Sequence, residues 1–217
     1  MRFPSPRALA RTGAVTAILF LLLTAVVAWS ADTVAGVDGA VSAHARSFAV
    51  AHHGWRLGWS VVTHSADSPV PLCVGAAAVV WLVWRRRYRA AGFTIAVAAL
   101  AATVRLGVLD AVARPRPVDR LTYSASWAYP SGHTTSATVT AGTLTLLVLL
   151  FGRDARVRAL VPRVALCWAV LVGLSRVALV AHWPTDVLGG WLLGTAVTCL
   201  AGIALLRTAP QPAGGPR

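Results

Sequence analysis

The sequence has no lysine and no glutamate, so its 20 basic residues are all arginine and its seven acidic residues all aspartate. Charged residues fill only 12% of the 217 positions, about half the usual share in a soluble domain. Cysteine is also scarce. Cys73, Cys167 and Cys199 each sit inside an apolar run, and no Cys-x-x-Cys pair exists. An odd count without that spacing excludes a disulfide framework and a thiolate metal or redox centre. Three small core residues are the expectation instead. The net charge of +13 and the pI near 11.6 would, alone, suggest a nucleic-acid partner. Hydropathy argues otherwise. Apolar types reach 57%, the mean hydropathy is +0.67, and the apolar blocks are about as long as a bilayer is thick. The expected partner is the lipid bilayer, with no nucleic acid.

These blocks predict an all-α, polytopic membrane bundle of six transmembrane helices. They run from about Gly13 to Trp29, Pro69 to Trp84, Ala90 to Ala113, Thr134 to Phe151, Val164 to Ala181 and Asp186 to Leu206. Residues 1–12 then form a short N-terminal segment, 13–207 the six-span domain, and 208–217 a Pro- and Gly-rich tail expected to be disordered. A basic start before an apolar run also fits a cleavable leader, but Trp29 suits a small-residue cleavage site poorly. The first span is therefore expected to stay. Between the first two spans, Phe48, His52, Trp55 and Trp59 fall on one helical face. Such a face suits either the headgroup region or ordinary packing between spans.

Six spans place both termini on one side. Thirteen arginines fall in the termini and the even-numbered loops, against six in the odd-numbered loops. The positive-inside rule puts both termini in the cytoplasm and the first, third and fifth loops outside. The outward third and fifth loops hold an unusual set. The third contains Arg114, Arg116 and Tyr129-Pro130-Ser131-Gly132-His133; the fifth span ends in Ser175-Arg176, followed by His182 and Asp186. Ionisable residues beside membrane segments are costly and tend to be functional. Arginine offers a planar fork of donors to phosphate oxygens. Ser131, Gly132 and His133 open the fourth span, where free backbone N–H groups make an anion site. His182 and Asp186 are close enough for a carboxylate to orient an imidazole as nucleophile or base. His133 is left to act as a general acid. No cofactor and no metal are required by this set.

At these residues the sequence resembles the type 2 phosphatidic acid phosphatases, the membrane branch of the superfamily that includes vanadium haloperoxidases. Two motifs of that family stand intact, as Pro130-Ser131-Gly132-His133 and as Ser175-Arg176-x5-His182-x3-Asp186. The first motif, Lys-x6-Arg-Pro, survives only as Arg116-Pro117, with Leu109 where the lysine belongs. The resemblance implies that His182 attacks phosphorus and forms a phosphohistidine, that Asp186 orients it, and that His133 protonates the leaving oxygen. Arg116, Arg176, Ser131 and Gly132 would hold the phosphate. Arg105, one turn before Leu109, or Arg114 is expected to replace the missing cation in part. Helical side chains lean toward the N-terminus, which counts against Arg105, and Asp110 stands where it could pair with Arg114.

The implied activity is a metal-independent, multi-pass phosphatase of the plasma membrane. Its site would face the extracytoplasmic side and act on undecaprenyl pyrophosphate, phosphatidic acid or phosphatidylglycerol phosphate. The alternative is a weakened lipid-phosphate-binding or transport protein of the same fold, for which Leu109 is the argument. A vanadate-dependent oxidase would need a large soluble helical domain that this sequence lacks.

Overall fold

The computed structural model describes residues 4–122, 124 and 126–208, and all of its regular structure is helical. Eight helices follow in order: α1 Pro6–Trp29, α2 Ala31–Ala51, α3 His53–His64, α4 Pro69–Trp84, α5 Tyr88–Val112, α6 Gly132–Phe151, α7 Ala155–Ala178 and α8 Pro184–Thr208. Six segments are long and apolar enough to cross a membrane, α3 and α4 counting together as His53–Trp84. Large apolar side chains such as Leu21, Leu72 and Val80 point outward, as a bilayer rather than water requires.

The helix starts are chemically marked. Ser5 caps α1, its hydroxyl accepting from the Ala8 N–H at 3.1 Å, with Pro6 at the first helical position. Asp154 caps α7 by accepting from the N–H groups of Arg156 and Val157 at 2.6 and 3.3 Å. That cap starts α7 at Ala155, so Arg156, Arg158 and Arg163 lie on the helix rather than in the basic loop expected before Val164. The second span also reaches further back than Pro69, because α3 continues the apolar run across a short break at residues 65–68. The tail lies outside the described residues, apart from Thr208.

The inner layer is α6, α7 and α8, with α1 lying along α8 and α4 and α5 closing one side. Glycines let α6 and α8 approach closely. A Cβ on Gly190 would stand 2.8 Å from Thr134 Cβ, and one on Gly194 2.7 Å from Thr138 Cβ. Small residues at such crossings are the usual means of close packing between spans. Two of the three cysteines do not join this core, while Cys199 packs against it. Cys73 and Cys167 are exposed and Cys199 half-buried. An apolar run in a span is apolar on its lipid-facing side too, so apolar neighbours do not imply burial here.

The segment around the aromatic face bends at His52, between α2 and α3. The rings still form a chain: Phe48 stacks on His52 at 4.0 Å and meets Trp55 edge-on at 5.1 Å, and Trp55 meets Trp59 at 5.4 Å. Because successive spans run antiparallel, the end of α5, the start of α6, the end of α7 and the start of α8 meet at one end of the bundle. The site is built there.

Candidate active site

The α7–α8 turn fixes the central histidine. The Arg176 carbonyl accepts from the N–H groups of Ala181 and His182, and Val180 takes a left-handed φ of 54° within the turn. A β-branched residue there is strained, so the surrounding packing has to hold the turn. Pro184 opens α8 and Asp186 lies two positions later. Asp186 Oδ2 accepts from the Trp183 N–H at 2.9 Å, one half of a capping box. The same oxygen stands 3.4 Å from His182 Nδ1, long for a hydrogen bond but close for a charge contact. Asp186 Oδ1 accepts from Arg114 at 2.7 Å.

His182 is buried, with 1% of its side chain exposed. Arg116 Nη1 stands 2.8 Å from its Nε2. A guanidinium only donates, so Nε2 carries the lone pair and Nδ1 the proton, facing Asp186. Burial pushes the His182 pKa down to about 4; Asp186 opposes that shift, and Arg116 and Arg176 add to it. At neutral pH the ring is therefore neutral, with a nucleophilic nitrogen. Arg116 also donates to the Ala181 carbonyl at 2.7 Å and to Ser126 and Trp127. Burial lowers its pKa to about 10, Asp186 opposing and Arg105 and Arg120 adding to the shift, which still leaves it charged at neutral pH.

A cavity of about 430 Å³ opens beside this histidine. Its lining brings together Arg105, Arg116, Gly132, His133, Arg176 and His182, with no carboxylate among them or their described neighbours in the wall. His133 Nε2 is 2.9 Å from Asp67 Oδ1. Arg176 is 3% exposed and donates from Nη1 to Thr63 Oγ1 at 2.5 Å, while its Nε is buried without a partner. Ser131 stands behind the cavity wall, fully buried. Its hydroxyl accepts from Thr134 and its N–H donates to the Asp186 carbonyl. It thereby joins the start of α6 to the start of α8.

The two auxiliary arginines part company. Arg114 bridges Asp38 and Asp186 at 2.6 and 2.7 Å and also donates to Thr185, rather than pairing with Asp110. Arg105 reaches the cavity despite the lean of helical side chains, and its guanidinium lies against Gly132. Leu109 is buried outside the cavity lining. Sequence reasoning missed Asp38, Thr63, Asp67 and Thr185. Asp38, 1% exposed on α2, accepts from the Thr185 N–H at 3.1 Å and its hydroxyl at 2.6 Å. It thus serves the free first turn of α8. The only hint in the sequence was an aspartate inside a mostly apolar segment.

A histidine and an aspartate on one helix start, a second histidine on the next, and an arginine-lined cavity make a phosphoryl-transfer geometry. The model of the PAP2 superfamily matches residues 93–207, just over half of the chain. The chain belongs to the PAP2 superfamily. This PAP2 chain is similar to the first transmembrane PAP2-type phosphatidylglycerolphosphate phosphatase from Bacillus subtilis to be seen in a crystal structure. The two share 25% identity and a TM-score of 0.78 over 92% of this chain and 98% of that one. It is also 35% identical over 91 residues to an undecaprenyl-diphosphatase of Sulfolobus acidocaldarius. That match covers 40% of this chain and 34% of the relative, so the chain spans about a third of that relative's length.

Proposed function

We propose that this PAP2 protein is an integral-membrane phosphatase that hydrolyses a lipid phosphate or pyrophosphate through a phosphohistidine on His182. The observation that carries the reading is His182 itself: buried, neutral, with its Nε2 lone pair turned toward a cavity of arginines. In the first step Nε2 attacks phosphorus and the bond to the leaving oxygen breaks, with His133 giving that oxygen its proton. Asp186 stabilises the positive imidazole through Nδ1–H. Arg116 leaves Nε2 for the phosphoryl oxygens, where Arg176 and the Gly132 backbone also act. Water then attacks the phosphohistidine, His133 takes its proton, and inorganic phosphate leaves.

A lipid substrate is supported by the surroundings. The cavity shares Pro71, Leu72, Ala98, Ala102, Val139 and Thr140 with an apolar groove of about 530 Å³ between α4, α5 and α6. A headgroup in the cavity leaves its tail in that groove, open to the bilayer. The arginine bias supports cytoplasmic termini and a site at the outer leaflet of the plasma membrane. The relatives' names suggest undecaprenyl pyrophosphate and phosphatidylglycerol phosphate, and phosphatidic acid has the same chemistry.

The test is phosphate release from this panel by purified protein in detergent with EDTA present. Turnover that survives EDTA and vanishes in His182→Ala is expected, with a labelled phosphohistidine trapped on acid-free quenching. No turnover on any of the lipids would favour a binding or transport role. Right-side-out against inside-out vesicles test the orientation.

A further inference from the structure

We propose that Arg105 is a direct ligand of the phosphoryl group, the third cation of the site, and that Gly132 is glycine to leave its guanidinium room. This rests on the phosphatase reading above.

The neighbouring positions offer no such cation. Leu109 is apolar and buried away from the cavity, and Arg114 is spent on Asp38, Asp186 and Thr185. Arg105 lines the same cavity as Arg116, Arg176 and both histidines. Its Nε is buried without a hydrogen-bond partner. A buried donor left idle is costly, and more so on an arginine within a membrane helix. An arriving phosphate oxygen removes that cost and gains a charge-assisted contact.

The start of α6 sharpens the placement. A Cβ on Gly132 would meet Arg105 Nη2 at 2.8 Å, Cζ at 2.9 Å and Nε at 3.0 Å. The guanidinium therefore rests on the helix N-terminus, whose partial positive charge also attracts an anion. Two positive groups side by side repel when the site is empty and both gain when an anion lies between them. An arginine side chain swings aside at little cost to folding, so a methyl group at 132 moves the cation rather than unfolding the helix.

The experiment uses the full chain in detergent, reading kcat/KM for lipid phosphate release and the competitive Ki of inorganic phosphate. Arg105→Gln should lower kcat/KM and raise Ki by about ten- to hundredfold each. Arg105→Lys, which keeps the charge, should lose clearly less. Gly132→Ala should show the same defect as Arg105→Gln, and the double variant should be no worse than the poorer single one. Wild-type kcat/KM and Ki in Arg105→Gln, with His182→Ala inactive, would overturn the proposal. So would losses that multiply in the double variant. Undiminished release by His182→Ala would instead sink the phosphatase mechanism beneath it.

Discussion

The two halves of the chain serve one site in different ways. The region matched by the family model, residues 93–207, carries the groups proposed to act on the phosphoryl group: Arg105, Arg116, His133, Arg176 and His182 in the cavity wall, with Asp186 behind His182. The helices before it carry none of these, yet each functional cluster leans on one of their side chains. Asp38 on α2 holds Arg114 and the first turn of α8. Thr63 on α3 takes a donor from Arg176, and Asp67 in the α3–α4 break meets His133. Reacting groups need fixed mutual geometry and so recur at fixed spacing. A supporting group needs only to arrive at the right place, from any element, and leaves no spacing to read.

That contrast can be broken by substitution on either side. His182→Ala should abolish turnover, lowering kcat by about 10³-fold or more, because it removes the proposed nucleophile, which Asp186 and Arg116 flank. Asp38→Ala leaves the half-buried Arg114 with one carboxylate and strips the α8 first turn. Loss of one partner from a buried pair costs about 3–5 kcal/mol, read as a lowered midpoint of thermal unfolding in detergent. Should that midpoint stay put while turnover falls, Asp38 would belong with the reacting groups.

Two smaller effects sharpen the comparison. Thr63→Val removes the acceptor of a charged donor and should raise KM by about tenfold with kcat less affected. The acid limb of kcat/KM should lie near pH 4, where His182 gains its proton. Removing Arg116 takes away a neighbour that lowers that pKa, so in Arg116→Gln the limb of the residual activity should move to higher pH. An unmoved limb would mean that Arg116 does not face the nucleophile.

Much of this was legible in the sequence. The apolar blocks gave six spans because only a helix satisfies its own backbone in lipid. The motif residues could be gathered at one end because antiparallel spans alternate. The boundaries were less legible. Asp154 starts α7 early through its cap, and α3 adds to the second span across a break that reads as a loop. The direction of Arg105 was misleading, since a preference of side chains for the helix N-terminus is outweighed by a polar cavity within reach. The pairing of Arg114 could not be read either. Asp110 was its neighbour on the helix, but α5 ends at Val112, and the turn at Ala113 carries Arg114 toward Asp38 and Asp186.

The glycines of α8 bear on motion. With Gly190 and Gly194 seated against Thr134 and Thr138, α6 and α8 have no slack between their backbones. His133 rides on one helix and Asp186 on the other, and the Ser131–Asp186 backbone bond ties their ends. The two helices thus form a single close-packed bracket that sets the span between His133 and Asp186, the residue beside His182. The opposite wall, α4 and α5, is looser: a Cβ on Gly75, Gly92 or Gly107 would meet nothing within 4 Å, and the apolar groove runs along it. On the function proposed above, a close-packed wall on one side and a looser one on the other would admit lipids of different girth without disturbing the distance across which the proton and the phosphoryl group are to move.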